Sequence, residues 1–137
     1  MKIKTGIIAI LFIVILFCCA CAGKNDWRFE LINGYEIWRV NSNEIVCGKR
    51  NSEHSLGENV GEKFVSEFCY DNRYVCLQCA DKTRETQINY YIIDTSIDAE
   101  YGPYTQNEFE NKLKELNITQ LCSWIKTNPR PDGAKFD

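Results

Sequence analysis

Histidine, proline and the usual catalytic signatures are what this chain is short of. It holds one histidine, His54, and three prolines. A lone imidazole makes His54 the only candidate histidine base, and it would need a distant serine or cysteine as its nucleophile. Its setting, Asn51-Ser52-Glu53-His54-Ser55, reads as a solvated loop. No GxSxG, no HExxH and no spacing that pairs two carboxylates is present. Glu62, Glu67, Glu85, Asp94 and Glu100 are scattered, and Asp94-Thr95-Ser96 reads as turn chemistry. The expectation is a non-enzymatic protein with no catalytic residues, no metal and no cofactor. A stripe of Arg and Lys with interleaved aromatics is also missing, and the formal charge is −3. Nucleic acid, which wants a basic patch, is therefore not an expected partner.

Long apolar runs are absent too, with one exception. Lys2 and Lys4 precede an uninterrupted apolar stretch from Gly6 to Ala22, and the chain turns polar at Lys24. A basic start, an apolar middle and a small-residue end make the layout of a bacterial secretory signal. The end, Cys18-Cys19-Ala20-Cys21, looks like a lipobox, with cleavage between Ala20 and Cys21 and diacylation of Cys21. Cys19 and Cys18 fit less well, because Cys18 and Phe17 would precede them. One feature departs from the pattern: Cys18 stands where a lipobox usually has leucine. The alternative is an uncleaved membrane anchor, for which the run is near the lower limit of ~20 apolar residues. Either way, residues after Lys24 are expected outside the plasma membrane. Two acyl chains would hold the protein firmly, since each buried CH₂ contributes ~0.8 kcal/mol.

Residues 1–20 are thus expected as a signal and 21–26 as a lipidated tether. Loss of Lys2 and Lys4 with the signal would take the formal charge from −3 to about −5. What remains, roughly 115 residues, is one domain by size. Of the eight cysteines, Cys47, Cys69, Cys76, Cys79 and Cys122 would lie in the mature domain beside acylated Cys21. Five is an odd number for a disulfide framework, and their mostly apolar neighbours suit buried small hydrophobes. Cys76-Leu77-Gln78-Cys79 is a CxxC inside a strand. Residues three apart on a strand face opposite ways, so the two sulfurs splay apart. A redox pair wants a helix start. Zinc would need two more ligands, from among Cys47, Cys69, Cys122 and His54. The alternative, a small envelope enzyme or a thiol or metal site using Cys76, Cys79 and His54, is therefore the weaker reading. Replacing Cys76 and Cys79 by serine is expected to leave folding and metal content almost unchanged. Cys69 and Cys76 should lie diagonally on one hairpin face, where a disulfide would be strained.

Residues 27–126 read as one β-rich domain and 127–137 as a mobile tail. Asn33-Gly34 is a strong two-residue turn signal between WRFELI and YEIWRV. A plain hairpin about it puts Trp27, Phe29, Leu31, Trp38 and Val40 on one face. Glu44–Lys49 follows as a strand and residues 50–62 as a loop. A second hairpin around Asp71-Asn72 puts Phe64, Phe68, Tyr70, Val75, Leu77 and Cys79 on one face, with Cys69, Tyr74 and Cys76 on the other. Ile88–Asp94 and the AEYGPY segment pair next, and Pro103 should end the latter. Thr105 opens a helix, with Glu108 completing a capping box and Tyr104 and Phe109 a hydrophobic staple. Phe109, Leu113 and Leu116 form its apolar stripe. Glu108–Lys112 and Glu110–Lys114 are spaced as ion pairs, and Asn117 is its stop. Residues 118–125 read as a closing strand in preference to a short helix. The fold class is α+β: one antiparallel meander sheet of about six or seven strands with one C-terminal amphipathic helix. An outer face carrying Tyr35, Tyr74, Tyr90 or Tyr91 would suit a protein or glycan partner.

Taken in order, NGYEIWRVNS, FCYDNRYV, YYIID, YGPYTQNEF and WIKTNPRP resemble a family of small uncharacterised bacterial lipoproteins, a domain of unknown function found mostly in Firmicutes. The resemblance implies an extracytoplasmic domain, anchored to the lipid bilayer through Cys21, with no assigned activity. A non-catalytic envelope module that binds a protein or wall polymer is the expectation that follows.

Overall fold

The computed structural model describes residues 26–52, 55–80, 87–120 and 123–136. The expected signal and Cys21, together with His54, Glu85 and Cys122, lie outside the described residues. No helix among the described residues is long and apolar enough to cross a membrane.

Two antiparallel meanders stand where one sheet was expected. The first runs β1 (Trp27–Glu30), β2 (Tyr35–Asn41), β3 (Glu44–Ser52) and β4 (Ser55–Val60). The second runs β5 (Val65–Tyr70), β6 (Tyr74–Ala80), β7 (Ile88–Asp94) and β8 (Ala99–Tyr104). Helix α1 (Gln106–Glu115) follows. Two short strands, β9 (Ile125–Lys126) and β10 (Lys135–Phe136), then add to β5 and β1 respectively. Each sheet is five-stranded, in the orders β10-β1-β2-β3-β4 and β8-β7-β6-β5-β9. The segment expected as a mobile tail is therefore built into the first sheet, and Thr127 within it is buried.

The turn at Asn33-Gly34 forms as expected, with φ of 50° and 82° and Tyr35 N–H donating to Ile32 at 2.9 Å. The register does not follow. The next pairs outward are Glu30↔Glu36 and Phe29↔Ile37, which leaves Leu31 as a bulge. One extra residue shifts the partner strand by one, and a one-residue slip flips every side chain to the other face. Tyr35 and Ile37 turn inward, whereas Trp38 and Val40 face out. The second hairpin pairs Tyr70↔Val75, Phe68↔Leu77 and Cys69↔Cys76, and its faces are those expected. Cys69 and Cys76 are directly opposite rather than diagonal.

Between the sheets lies the main core: Trp27, Tyr35, Ile37, Ile45 and Cys47 from the first, and Val65, Phe68, Leu77, Cys79, Tyr91 and Ile93 from the second. Phe29 packs on Phe68 at 5.1 Å between ring centroids. A second core covers the opposite face of the second sheet, where Cys69, Tyr74, Cys76 and Ile92 meet Phe109 of α1. Leu113 and Leu116 flank Phe109 there, as the stripe implied. The Thr105–Glu108 capping box is present. At the other end Asn117 adopts φ 55°, its N–H donates to Lys114 and that of Ile118 to Leu113. This satisfies carbonyls that a helix end leaves open. Of the expected ion pairs, Lys112 pairs with Glu115 at 2.7 Å instead of Glu108, which the cap occupies.

Within 50–62, expected as a loop, Arg50–Ser52 and Ser55–Val60 are paired polar strands. β3 extends to Ser52, and β4 is an edge strand whose largely exposed residues need no apolar alternation. Pro103 lies within β8, also an edge strand, where a missing N–H donor is tolerated. Among the described residues of the expected closing strand 118–125, Ile118–Gln120 carries no regular structure and only Ile125, which opens β9, is strand.

Candidate functional site

The cysteines come first because the CxxC was the main chemical signal. Cys47, Cys69, Cys76 and Cys79 are all fully buried and lie outside any disulfide. Cys79 points into the core between the sheets and Cys76 into the core under the helix. The splay inferred from strand geometry thus holds. Burial in apolar surroundings pushes the Cys79 thiol up to about 12 and raises that of Cys47 further. A thiol at such values stays protonated near neutrality and is a poor nucleophile. Among the described residues, no group of three or more His, Cys, Asp or Glu side chains is placed to hold a metal ion.

The scattered carboxylates also resolve one by one. Asp94 is buried, at 2 % exposure, and accepts hydrogen bonds from Ser96 N at 3.1 Å and Ser96 Oγ at 2.6 Å. Arg73 donates to it through Nη2 at 2.6 Å and Nε at 3.1 Å. These contacts, the Arg73 guanidinium first, hold its carboxyl down to about 2. Glu62 accepts from the Asn89 amide at 2.5 Å and the Tyr91 hydroxyl at 3.1 Å. Glu100 accepts from the backbone N–H of Gly61 at 3.0 Å, a link from one sheet to the connection leaving the other. Glu67 lies on β5 opposite Gln78 and Lys126. All of these carboxylates are bound into local structure, and no two of them make an acid–base pair.

The tyrosines do not form an outer platform. Tyr35, Tyr74 and Tyr91 are buried, and Tyr90 stacks on Phe109 beneath α1 with centroids 4.9 Å apart. An aromatic binding face built on these four is thereby corrected: they fill the two cores.

A concavity opens between the sheets, toward the end that carries the turns 31–34 and 95–98. Its volume is about 370 Å³. Tyr35 and Lys49 wall one side, Glu58–Val60 of the edge strand β4 another, and Asp98, Ala99 and Glu100 the third. The walls are set by long-range hydrogen bonds. The Tyr35 hydroxyl donates to Asp98 Oδ1 at 3.0 Å, and Lys49 Nζ donates to both Asp98 oxygens at 2.9 Å. Asn33 Nδ2 donates to Thr95 Oγ1 at 2.9 Å, tying the two turns together. Burial, with Asp98 as acceptor, pushes the Tyr35 hydroxyl up to about 12, so it remains a donor. Lys49 and Tyr35 together hold the Asp98 carboxyl below the usual range, so it remains charged. The cleft presents three carboxylates, Glu58, Asp98 and Glu100, against one ammonium, Lys49. It therefore complements a ligand with cationic or hydroxyl groups. Sequence reasoning did not single out Tyr35, Lys49 and Asp98 as one group. They are 49 or more positions apart in the pairs that bond, and only the cross-sheet packing joins them.

No curated protein and no solved structure matches the chain. Residues 32–125, more than half of its length and all of the cleft lining, match the model of a protein family of unknown function. The chain belongs to that family, DUF3997.

Proposed function

We propose that this is a lipoprotein of the bacterial envelope, of the kind carried by Firmicutes: acylated at Cys21 and held on the extracytoplasmic face of the plasma membrane. Its β-rich domain acts there as a non-catalytic binding module. The observation that carries the anchor is the sequence Ala20-Cys21 closing an apolar run behind Lys2 and Lys4, six residues before β1 begins at Trp27. The end of the domain nearest that tether holds the start of β1. The open cleft lies toward the opposite end, where it would be presented away from the bilayer. Its acidic lining suits a wall polymer or protein segment that offers ammonium or hydroxyl groups. The buried, protonated thiols favour this reading over a thiol-dependent enzyme.

Intact mass of the native protein, extracted from membranes with detergent, tests the anchor beside a Cys21→Ser variant. The expected wild-type mass begins at Cys21 and includes acyl chains, and the variant lacks them. A mass that begins at Met1 would replace the lipid anchor with a transmembrane one.

A further inference from the structure

A second concavity, of about 280 Å³, lies at the tether end. Trp27 and Arg39 line it from β1 and β2, Ser42 from the β2–β3 turn, and Thr127, Asn128 and Arg130 from the segment after β9. Ile45 and Phe64 complete its floor. Among the described residues, two guanidinium groups line it and no carboxylate does, although the chain as a whole is acidic. The far cleft, with three carboxylates to one ammonium, has the opposite polarity. The tether-end cavity is also held in shape. Trp27 is 2 % exposed and Ile45 3 %. The Thr127 hydroxyl donates to the carbonyl of Val65 at 2.9 Å and to that of Ser66 at 3.0 Å, and Thr127 N–H donates to Ser66 at 3.0 Å. These bonds clamp Thr127 against β5, at the start of the segment that carries Arg130.

Two guanidinium groups in one cavity, beside the Asn128 amide, are the chemistry of phosphate recognition. The position says which phosphate. Trp27, in the cavity wall, is six residues from Cys21. Six residues of fully extended chain reach at most ~20 Å. An acylated Cys21 therefore keeps this cavity within about that distance of the headgroup layer. We propose that the Arg39–Arg130 cavity receives the phosphodiester headgroup of an anionic phospholipid from the bilayer that anchors the chain, and so sets the domain's orientation on the membrane. The source of the phosphate rests on the lipoprotein reading; the phosphate chemistry of the cavity does not.

The test uses the full chain in nanodiscs of phosphatidylcholine alone and of phosphatidylcholine with phosphatidylglycerol, followed by hydrogen exchange. Expected is at least fivefold slower exchange across residues 41–45 and 127–130 in the phosphatidylglycerol discs. That slowing should vanish in Arg39→Gln/Arg130→Gln while β6 and β7 keep their wild-type protection, which certifies the fold. Inorganic phosphate added to phosphatidylcholine discs should not reproduce it. Equal exchange in both discs, or slowing that survives the double variant, overturns the proposal. Full slowing with inorganic phosphate alone overturns the lipid source and leaves a free-anion site. Intact mass of the same samples reports acylation of Cys21 separately. An unacylated chain that still shows arginine-dependent protection refutes the anchor and retains the headgroup site, whereas an acylated chain without protection refutes only the site.

Discussion

Asp94→Asn tests how the far end of the domain is held together. Asp94 ends β7, is 2 % exposed and takes two donors from Ser96 and the fork of Arg73. Arg73 comes from the β5–β6 turn, and its carbonyl also accepts from Thr95 N–H at 3.0 Å. The 94–98 turn that these bonds fix carries Asp98 into the cleft. A fall of the carboxyl from 3.8 to about 2 on folding corresponds to roughly 2 kcal/mol at 1.36 kcal/mol per pH unit. The Arg73 side chain is 52 % exposed, so solvent screening lowers the expectation to about 1 kcal/mol. The sign follows from linkage. A carboxyl depressed by folding contributes stability that is complete above the unfolded value of 3.8 and is lost as pH falls through about 2. Urea unfolding at pH 7 should therefore place Asp94→Asn about 1 kcal/mol below wild type, and the gap should narrow steadily between pH 4 and pH 2. A gap that is absent at pH 7, or that is the same at pH 2.5 as at pH 7, refutes the reasoning.

Gly102→Ala should lower stability by about 2 kcal/mol or more by urea unfolding, because its φ is +135° and a Cβ there would meet the Tyr90 carbonyl oxygen at 2.7 Å and Tyr91 Cδ1 at 2.8 Å. Phe109→Ala removes the helix's one buried side chain, which packs on Tyr90 and Trp124. A loss of about 3 kcal/mol is expected, with exchange protection falling first across α1. In the native protein at pH 8, Cys47, Cys69, Cys76 and Cys79 should resist iodoacetamide for as long as the fold persists and react once urea unfolds it, read by mass spectrometry. Cys76→Ser/Cys79→Ser should cost about 1–3 kcal/mol per buried hydroxyl left without a partner. Burial of both side chains thus replaces the expectation from sequence that folding would be almost unchanged.

Where neighbours along the chain carry the information, the sequence sufficed. The Thr105–Glu108 capping box, the Phe109–Leu113–Leu116 stripe and the Asn117 stop are all set within one or two helical turns, and each formed. The turn at Asn33-Gly34, with positive φ at both residues, was legible for the same reason, since φ preference belongs to the residues themselves. So was the splay of Cys76 and Cys79, which follows from a strand's period of two. The proposed lipobox at Ala20-Cys21 rests on the sequence alone, because it is a processing pattern and not a packed element. Tertiary structure decided the rest. The bulge at Leu31 exists because Tyr35 and Ile37 bury against the second sheet, a gain that no local pattern in WRFELINGYEIWRV reveals. The split into two sheets, the pairing of β10 with β1 and the ordering of Thr127 depend on contacts between residues far apart in sequence. Both cavities have the same origin. Tyr35, Lys49 and Asp98 meet at one end, and Arg39 and Arg130 share a cavity at the other, only because two meanders pack face to face with their turns aligned.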